Sequence, residues 1–239
     1  LLVHTNDLHS QLDPMEGGRG AGRGGAARRA AMVARLRAEH PHVLLLDAGD
    51  VFMGTAYFTL FEGEADLRAM SAAGYDAGAI GNHDFDAGID RLAVVTREFR
   101  NFPWLCANYD FSDTPMAGRT QESMVIERDG LRIGLLGLGI KLEGLVAPSM
   151  SGATRYTDPI AAARRVARRL RGEEGCAFVV ALSHASVRGV GGEPGDRAIA
   201  AQVPEIDVVI GGHNHILMER PEAVARREAA PGRGQSPTG

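Results

Sequence analysis

Several features that would assign this chain to a familiar functional class are scarce or missing from its sequence. Its 239 residues include only two cysteines, Cys106 and Cys176, too few for the disulfide framework of a small secreted domain. We expect both to be buried as small apolar side chains. No apolar run approaches the length needed to span a bilayer. The formal charge of −4 lacks the basic excess typical of proteins that bind nucleic acid polymers, which argues against such a partner.

Lysine is almost absent, since Lys141 is the only one among 26 basic residues. An arginine excess of this kind could serve phosphate recognition, but the lack of net basic charge favours a compositional bias instead. The hydrophobic fraction of 44% is ample for a packed core, and the length fits one large domain. The chain starts at Leu1 without an initiator Met or a signal peptide, so we expect a mature product or a fragment.

Short apolar runs predict buried strands, and helical spacing predicts helices between them. The predicted strands are 1–3, 43–46, 77–80, 131–138, 178–182 and 208–210. The predicted helices are 26–39, 64–73 and 160–170, the last with an arginine-rich face that we expect to be solvated. We interpret the Gly/Arg stretch 17–25 as a loop, because it lacks the spacing of a P-loop. Alternating strands and helices indicate an α/β fold with much parallel pairing.

Polar clusters follow five of these predicted strands, at the carboxyl end where α/β sheets collect their ligands. They are Asn6-Asp7-Leu8-His9, Gly49-Asp50, Gly81-Asn82-His83-Asp84, Ser183-His184 and Gly211-Gly212-His213-Asn214-His215. Each cluster alone is weak evidence of a site. Their shared position after successive strands predicts that they meet.

The clusters supply carboxylate, amide and imidazole groups in the numbers that two divalent metal ions require. The predicted metal ligands are Asp7, His9, Asp50, Asn82, His184, His213 and His215. Two carboxylates leave a pair of divalent ions with net positive charge, which suits a phosphate dianion. Nitrogen and oxygen ligation without thiolate favours Zn²⁺, Mn²⁺ or Co²⁺. We predict that Asp50, placed after a glycine, bridges both ions.

His83 directly follows the predicted ligand Asn82 and is expected to point away from the metal pair. Asp86, three residues later, would accept one ring N–H and fix the tautomer, leaving the other nitrogen for substrate. We therefore predict His83 and Asp86 as catalytic residues, with His83 stabilising the phosphoryl group or protonating the leaving alkoxide. The remaining histidines, His4, His40 and His42, are expected at the surface or in loops. Asp84 is expected to be a polar neighbour, and Asp13 and Asp47 to position turns.

Taken in order, these motifs resemble the calcineurin-like metallophosphatases and, among them, the 5′-nucleotidase group. The matching elements are Asn6 to His9, Gly49-Asp50-Val51-Phe52-Met53-Gly54, Gly81 to Asp86, Leu182-Ser183-His184 and Gly211 to His215. The resemblance implies a four-layer α/β/β/α sandwich over residues 1–218, with the metals between the sheet ends. It implies one metal on Asp7, His9, Asp50 and His215, and another on Asp50, Asn82, His184 and His213. It also implies a catalytic His83–Asp86 dyad and, as for many members, export to the periplasm or cell surface.

Two departures from the 5′-nucleotidase pattern bear on the function. Full 5′-nucleotidases carry a second domain whose aromatic pair stacks the nucleobase, and these 239 residues contain no such segment. Relatives also continue past the last His-x-His into strands that complete the second sheet. Here residues 219–239 are polar without a strand pattern, and we expect a disordered tail with the final strands missing.

These patterns lead to the hypothesis of a metal-dependent phosphoric-ester hydrolase. In its main form it is a phosphomonoesterase of the 5′-nucleotidase type, acting on nucleotides or related small phosphate esters through a hydroxide that bridges two metals. A phosphodiesterase, for example on cyclic nucleotides, is an alternative because the same metal pair serves both reactions. An inactive metal-binding domain is a second alternative, favoured by the unusual C-terminus.

Overall fold

The computed structural model describes residues 1–225, which form two stacked β-sheets between two layers of helices. The strands are β1 (Leu2–Thr5), β2 (Leu44–Asp47), β3 (Ala77–Ala79), β4 (Trp104–Leu105), β5 (Tyr109–Asp110), β6 (Thr120–Gln121), β7 (Ser123–Arg128), β8 (Leu131–Leu138), β9 (Arg155–Tyr156), β10 (Phe178–Ser183) and β11 (Val208–Gly211). The helices are α1 (Ala26–Glu39), α2 (Ala56–Phe61), α3 (Glu64–Ala73), α4 (Ile89–Glu98), α5 (Pro148–Ser151), α6 (Pro159–Gly172) and α7 (Asp196–Gln202).

Both large sheets are mainly parallel. The first has the order β1-β2-β3-β4-β6, and every pair in it is parallel. The second has the order β11-β10-β8-β7, in which only β7 runs antiparallel, joined to β8 by a tight turn. Asp129 and Gly130 in that turn both have positive φ, as a two-residue hairpin of the primed type requires. A short antiparallel pair, β5 with β9, lies outside both sheets.

Aliphatic side chains fill the space between the two sheets. Leu44 and Leu46 of β2 belong to the same buried cluster as Leu135 of β8 and Leu182 of β10. Gly137 of β8 lies against the Leu105 carbonyl of β4, where a side chain would collide with the backbone. The sheets therefore pack closely, and their strand ends are held at a fixed separation.

Helices cover the outer faces of both sheets. Helices α1, α3 and α4 supply apolar residues such as Val33, Met70 and Val95 to the core on the first sheet. Helix α6 buries Val166 and Leu170 against the second sheet, and α7 contributes to the same core. The resulting α/β/β/α layering is the architecture that the sequence motifs imply.

The predicted elements are all present, with bounds that differ by at most two residues. On α6 the arginine side chains do face solvent, where Arg165 and Arg169 pair with Glu122 and Arg168 pairs with Glu205. Both cysteines are buried, as expected, and neither forms a disulfide. Helices α2, α4, α5 and α7 and the short strands β4, β5, β6, β7 and β9 were not predicted.

Within residues 1–225, none of the helices combines the length and apolar character of a membrane-crossing segment. Of the predicted tail, residues 219–225 contain neither helix nor strand, and residues 226–239 lie outside the described part of the chain. Arg197 of α7 binds Glu222 through two nitrogen atoms, at 2.8 and 3.1 Å, so this segment is tied to the domain.

Candidate metal centre

The polar clusters converge at one end of the sandwich, where strands of both sheets reach their carboxyl ends. Three clusters follow the neighbouring strands β1, β2 and β3 of the first sheet. The other two follow the neighbouring strands β10 and β11 of the second sheet. The site is therefore built where the edges of the two sheets meet.

One group of potential ligands consists of Asp7, His9 and His215. Their nearest side-chain donor atoms all lie within 4.8 Å of one another. The Nε2 atoms of His9 and His215 are 3.0 Å apart, and His215 Nε2 lies 3.5 Å from Asp7 Oδ1. Such convergence of two imidazole nitrogens and a carboxylate oxygen is typical of a transition-metal site.

A second group consists of Asp50, His184 and His213, again with donor atoms within 4.8 Å of one another. His184 Nε2 lies 3.0 Å from Asp50 Oδ2. The Asn82 side-chain oxygen lies 2.9 Å from His213 Nδ1, which adds the amide to this group. Six of the seven predicted ligands thus belong to the two groups, and the seventh, Asn82, contacts the second group.

The two groups adjoin each other. Asp7 Oδ1 lies 4.0 Å from His184 Nε2, which belongs to the second group. The backbone N–H of His213 donates to both Asp7 oxygens, at 2.9 and 3.1 Å. Asp7 therefore connects the two groups, and Asp50 lies within the second of them. The bridging role of Asp50 stays a prediction.

Unusual backbone conformations hold these side chains in place. Asp7, His9, Asp50, His213 and His215 all have positive φ, between 46° and 75°. Left-handed backbone at a residue with a side chain costs of the order of 1–3 kcal/mol, and such residues cluster at functional sites. Five of the seven predicted ligands have this costly backbone conformation. The loops therefore adopt the conformation that places the ligands, at the expense of local stability.

Two of the histidines have a fixed tautomer. His9 Nδ1 lies 3.1 Å from the Phe52 carbonyl, and His184 Nδ1 lies 2.7 Å from the Ala48 carbonyl. A carbonyl oxygen only accepts, so Nδ1 carries the hydrogen in both rings. In the neutral ring Nε2 then presents a lone pair to its group, which is the arrangement that a metal-binding histidine adopts.

His184 provides a test of whether the residues fit a cation. Its Nε2 is sealed from solvent and makes no hydrogen bond within the described residues, although Asp50 Oδ2 is close. A neutral ring would direct its lone pair at an ionised carboxylate, which is unfavourable in a buried setting. Either a proton on Nε2 or a metal cation beside both atoms removes that conflict, so this position favours positive charge and the donor set fits a divalent ion.

The electrostatics of these side chains point the same way. Burial lowers the pKa of His184, but the Asp50 and Asp7 carboxylates outweigh it and raise the value to about 9. Burial also raises the pKa of Asp50, yet His184 and the His83 N–H bring it below its ordinary value. For His9, burial is the main cause of a lowered pKa. The carboxylates therefore attract positive charge, which a proton on His184 supplies when no metal is bound, whereas burial favours the neutral form of His9.

The predicted catalytic pair also forms. His83 Nδ1 lies 2.8 Å from Asp86 Oδ2, and both side chains are about one-third exposed, at 32% and 29%. The His83 ring is edge-on to the ring of His9, with 5.2 Å between centroids. The carboxylate holds one ring nitrogen, and the other remains available beside the first ligand group.

Several supporting residues were not recognised from the sequence. Asp84 is fully buried and accepts backbone N–H groups of two loops, so it is more than a polar neighbour. Asn6 donates to Asp7 Oδ2 at 2.6 Å, and Asn214 accepts from the Val187 N–H at 2.6 Å. Asp196 accepts from Ser183 at 2.6 Å, next to His184. Asp84, Asn6 and Asn214 lie inside the sequence motifs, and that position was the signal by which they could have been found. Asp196 lies outside the motifs, so no signal in the sequence pointed to it.

Comparison with known proteins assigns the class. The family model described as calcineurin-like phosphoesterase matches residues 1–217. This chain therefore belongs to the calcineurin-like phosphoesterase family, a family of hydrolases, and the resemblance seen in the motifs is confirmed.

Particular relatives refine this placement. The chain is 31% identical to the trifunctional nucleotide phosphoesterase protein YfkN of Bacillus subtilis, over 95% of this chain and 16% of that protein. It is 35% identical to a probable 5′-nucleotidase of Treponema pallidum, over 91% and 37%. The crystal structure of a 5′-nucleotidase precursor from Thermus thermophilus aligns with a TM-score of 0.79 and 33% identity, over 97% and 44%. The chain thus spans less than half the length of these relatives.

Proposed function

We propose that this chain is a metal-dependent phosphomonoesterase of the 5′-nucleotidase type. The observation that carries the proposal is the pair of adjoining ligand groups at the sheet ends, with His83 beside the first of them. Nucleotides are the substrate class that the names of the Bacillus and Treponema relatives support.

In this proposal the seven side chains hold two divalent ions, of zinc, manganese or cobalt. Asp7, His9 and His215 would hold one, Asn82, His184 and His213 would hold the other, and Asp50 would be shared between them. Such a pair would supply a water of lowered pKa, whose hydroxide form is the predicted nucleophile, and positive charge for the phosphate. The mixed nitrogen and oxygen donors favour these metals over Ca²⁺.

His83 acts on the substrate itself, and Asp86 acts through His83. Asp86 fixes the hydrogen on His83 Nδ1, so Nε2 faces the phosphoryl group. In its imidazolium form, whose charge Asp86 stabilises, His83 can donate the Nε2 proton to a phosphoryl oxygen or to the leaving alkoxide and is left neutral. Positioned general acid catalysis of this kind contributes about 10²–10⁴-fold to a rate.

A phosphodiesterase is the second candidate, because the Bacillus relative is described as a trifunctional nucleotide phosphoesterase. The two activities differ in the charge of the substrate, since a monoester offers a dianion and a diester a monoanion. Export, which follows from the family resemblance, remains a prediction; the Thermus relative is described as a precursor.

The decisive experiment measures phosphate release from 5′-AMP by the purified chain with added Mn²⁺ or Zn²⁺. Asp50→Asn and an EDTA-treated sample serve as negative controls. Asp66→Asn, which changes a buried carboxyl on α3, serves as the matched control and should keep its activity. Release that disappears in both negative controls supports the proposal. Hydrolysis of a cyclic nucleotide without release from 5′-AMP would favour the diesterase, and no turnover by a metal-loaded chain would favour an inactive domain.

A further inference from the structure

Asp84 occupies an unusual position behind the candidate metal centre. Its side chain is 1% exposed, and it is not one of the potential ligands. Its Oδ1 accepts the backbone N–H groups of Val51 and Phe52, at 2.9 and 3.3 Å. Its Oδ2 accepts those of Gly81 and Asp50, at 2.7 and 3.3 Å. A single carboxyl group thus binds four backbone donors.

These donors come from two separate loops, each of which carries a predicted ligand. The loop after β2 carries Asp50, and the loop after β3 carries Asn82. The first of these loops also supports the loop after β1, because the carbonyls of Gly49 and Asp50 accept the N–H groups of Asp7 and His9, at 2.9 and 3.1 Å. Displacement of the loop that carries Asp50 would therefore move ligands of both groups.

We propose that Asp84 is a positioning residue that holds the Asp50 and Asn82 loops at their metal-binding separation before any metal arrives. The inference rests on the proposed metal-dependent function and adds a residue that sets metal affinity without binding the metal. Changes to residues that orient metal ligands typically cost 10–100-fold in affinity.

Asparagine cannot replace Asp84 in this role. Its side chain has one oxygen and one NH₂ group, so in either orientation the NH₂ group would face two N–H donors. Those donors are buried, and no water can replace the lost acceptor without opening the loops. Asp84→Asn should therefore loosen the ligand geometry while the remaining core stays packed.

The test compares Mn²⁺ affinity, measured by isothermal titration, in the full chain, in Asp84→Asn and in Asp66→Asn. Asp66 is a matched control because it is also buried, at 2% exposed, but its side-chain partner is the Ser10 hydroxyl. We expect a 10–100-fold weaker Kd for Asp84→Asn, an unchanged Kd for Asp66→Asn, and recovery of most of kcat by Asp84→Asn at saturating Mn²⁺.

Each outcome decides a different point. Unchanged affinity in a folded Asp84→Asn protein would overturn the inference, and a lowered melting temperature with unchanged affinity would show a purely structural role. Failure of the unmodified chain to bind Mn²⁺ would instead contradict the proposed function.

If Asp84→Asn does not fold, amide hydrogen exchange of the metal-free unmodified chain decides. Slow exchange at Val51 and Gly81 supports positioning before metal binding, and exchange at the rate of an unstructured peptide refutes it.

Discussion

Replacement of Gly81 by alanine tests how closely the candidate centre is packed. The φ of Gly81 lies outside the positive region, so alanine adds no backbone strain there. Its Cβ, however, would lie 2.5 Å from the backbone nitrogen of Asp50 and closer still to Asp50 Oδ1. Non-bonded contacts with carbon are comfortable at about 3.5 Å, so the two loops would have to separate by about 1 Å.

The expected effects follow from that displacement. Overfilling a packed site costs about 1–3 kcal/mol of unfolding free energy. For a chain of this size each kcal/mol lowers the melting temperature by about 2–4 °C. Because Asp50 belongs to the second ligand group, a shift of about 1 Å should also reduce turnover by about 10²-fold.

Thermal unfolding, Mn²⁺ titration and phosphate release from 5′-AMP measure these effects. Gly172→Ala is the matched control, since Gly172 ends α6 and an added Cβ would meet nothing within 4 Å. The control should keep the melting temperature, metal affinity and rate of the unmodified chain. A Gly81→Ala protein with unchanged metal affinity and turnover would refute the assignment of Asp50 to a closely packed metal site.

Three further substitutions separate binding, chemistry and stability. Asp50→Asn should lose at least one metal and nearly all turnover; full metal occupancy by elemental analysis would contradict its predicted bridging role. His83→Asn should keep both metals and lose about 10²–10⁴-fold in kcat, and metal loss would count against a purely catalytic role. Burial raises the pKa of Asp66 to about 6, so the folded state holds this proton more tightly than the unfolded chain does. Stability should therefore fall by up to about 3 kcal/mol as pH rises from about 4 to 6, and urea unfolding of Asp66→Asn should lack that fall.

The layers of the fold could be predicted from the sequence because the central strands are predominantly apolar. The apolar runs in β2, β8 and β10 are buried on both faces of the sheet. Such a run identifies a strand from the local sequence alone, without knowledge of the segments it pairs with. The overlooked strands β4, β5, β6 and β9 have two residues each, and their pairing is set by distant segments. Strand β7 has mostly half-buried positions without a clear alternation, and only its Asp129-Gly130 turn gave a local signal.

The ligands of the candidate centre were predictable for a different reason. Each lies within four residues after the end of a strand, and parallel strands bring their carboxyl ends to common edges. The supporting contacts were not predictable, because they join residues with no fixed spacing. The Asp84 oxygens reach residues 32 to 34 positions earlier in the chain, and Asp196 binds Ser183 across a loop. A sequence pattern can therefore identify the residues that would bind the metal. The residues that orient these ligands are brought to them by tertiary packing, which the pattern does not show.

The position of the site across two sheets has a consequence for how the domain is held together. His184 of the second sheet binds the Ala48 carbonyl of the first at 2.7 Å, and His213 contacts both Asp7 and Asn82. These contacts join segments more than 130 residues apart. A metal ion bound by side chains from both sheets would therefore stabilise the packing of the sheets as well as the site. Because a ligand that binds only the folded state raises its stability in proportion to the logarithm of its concentration, Mn²⁺ should raise the melting temperature of the unmodified chain more than that of Asp50→Asn.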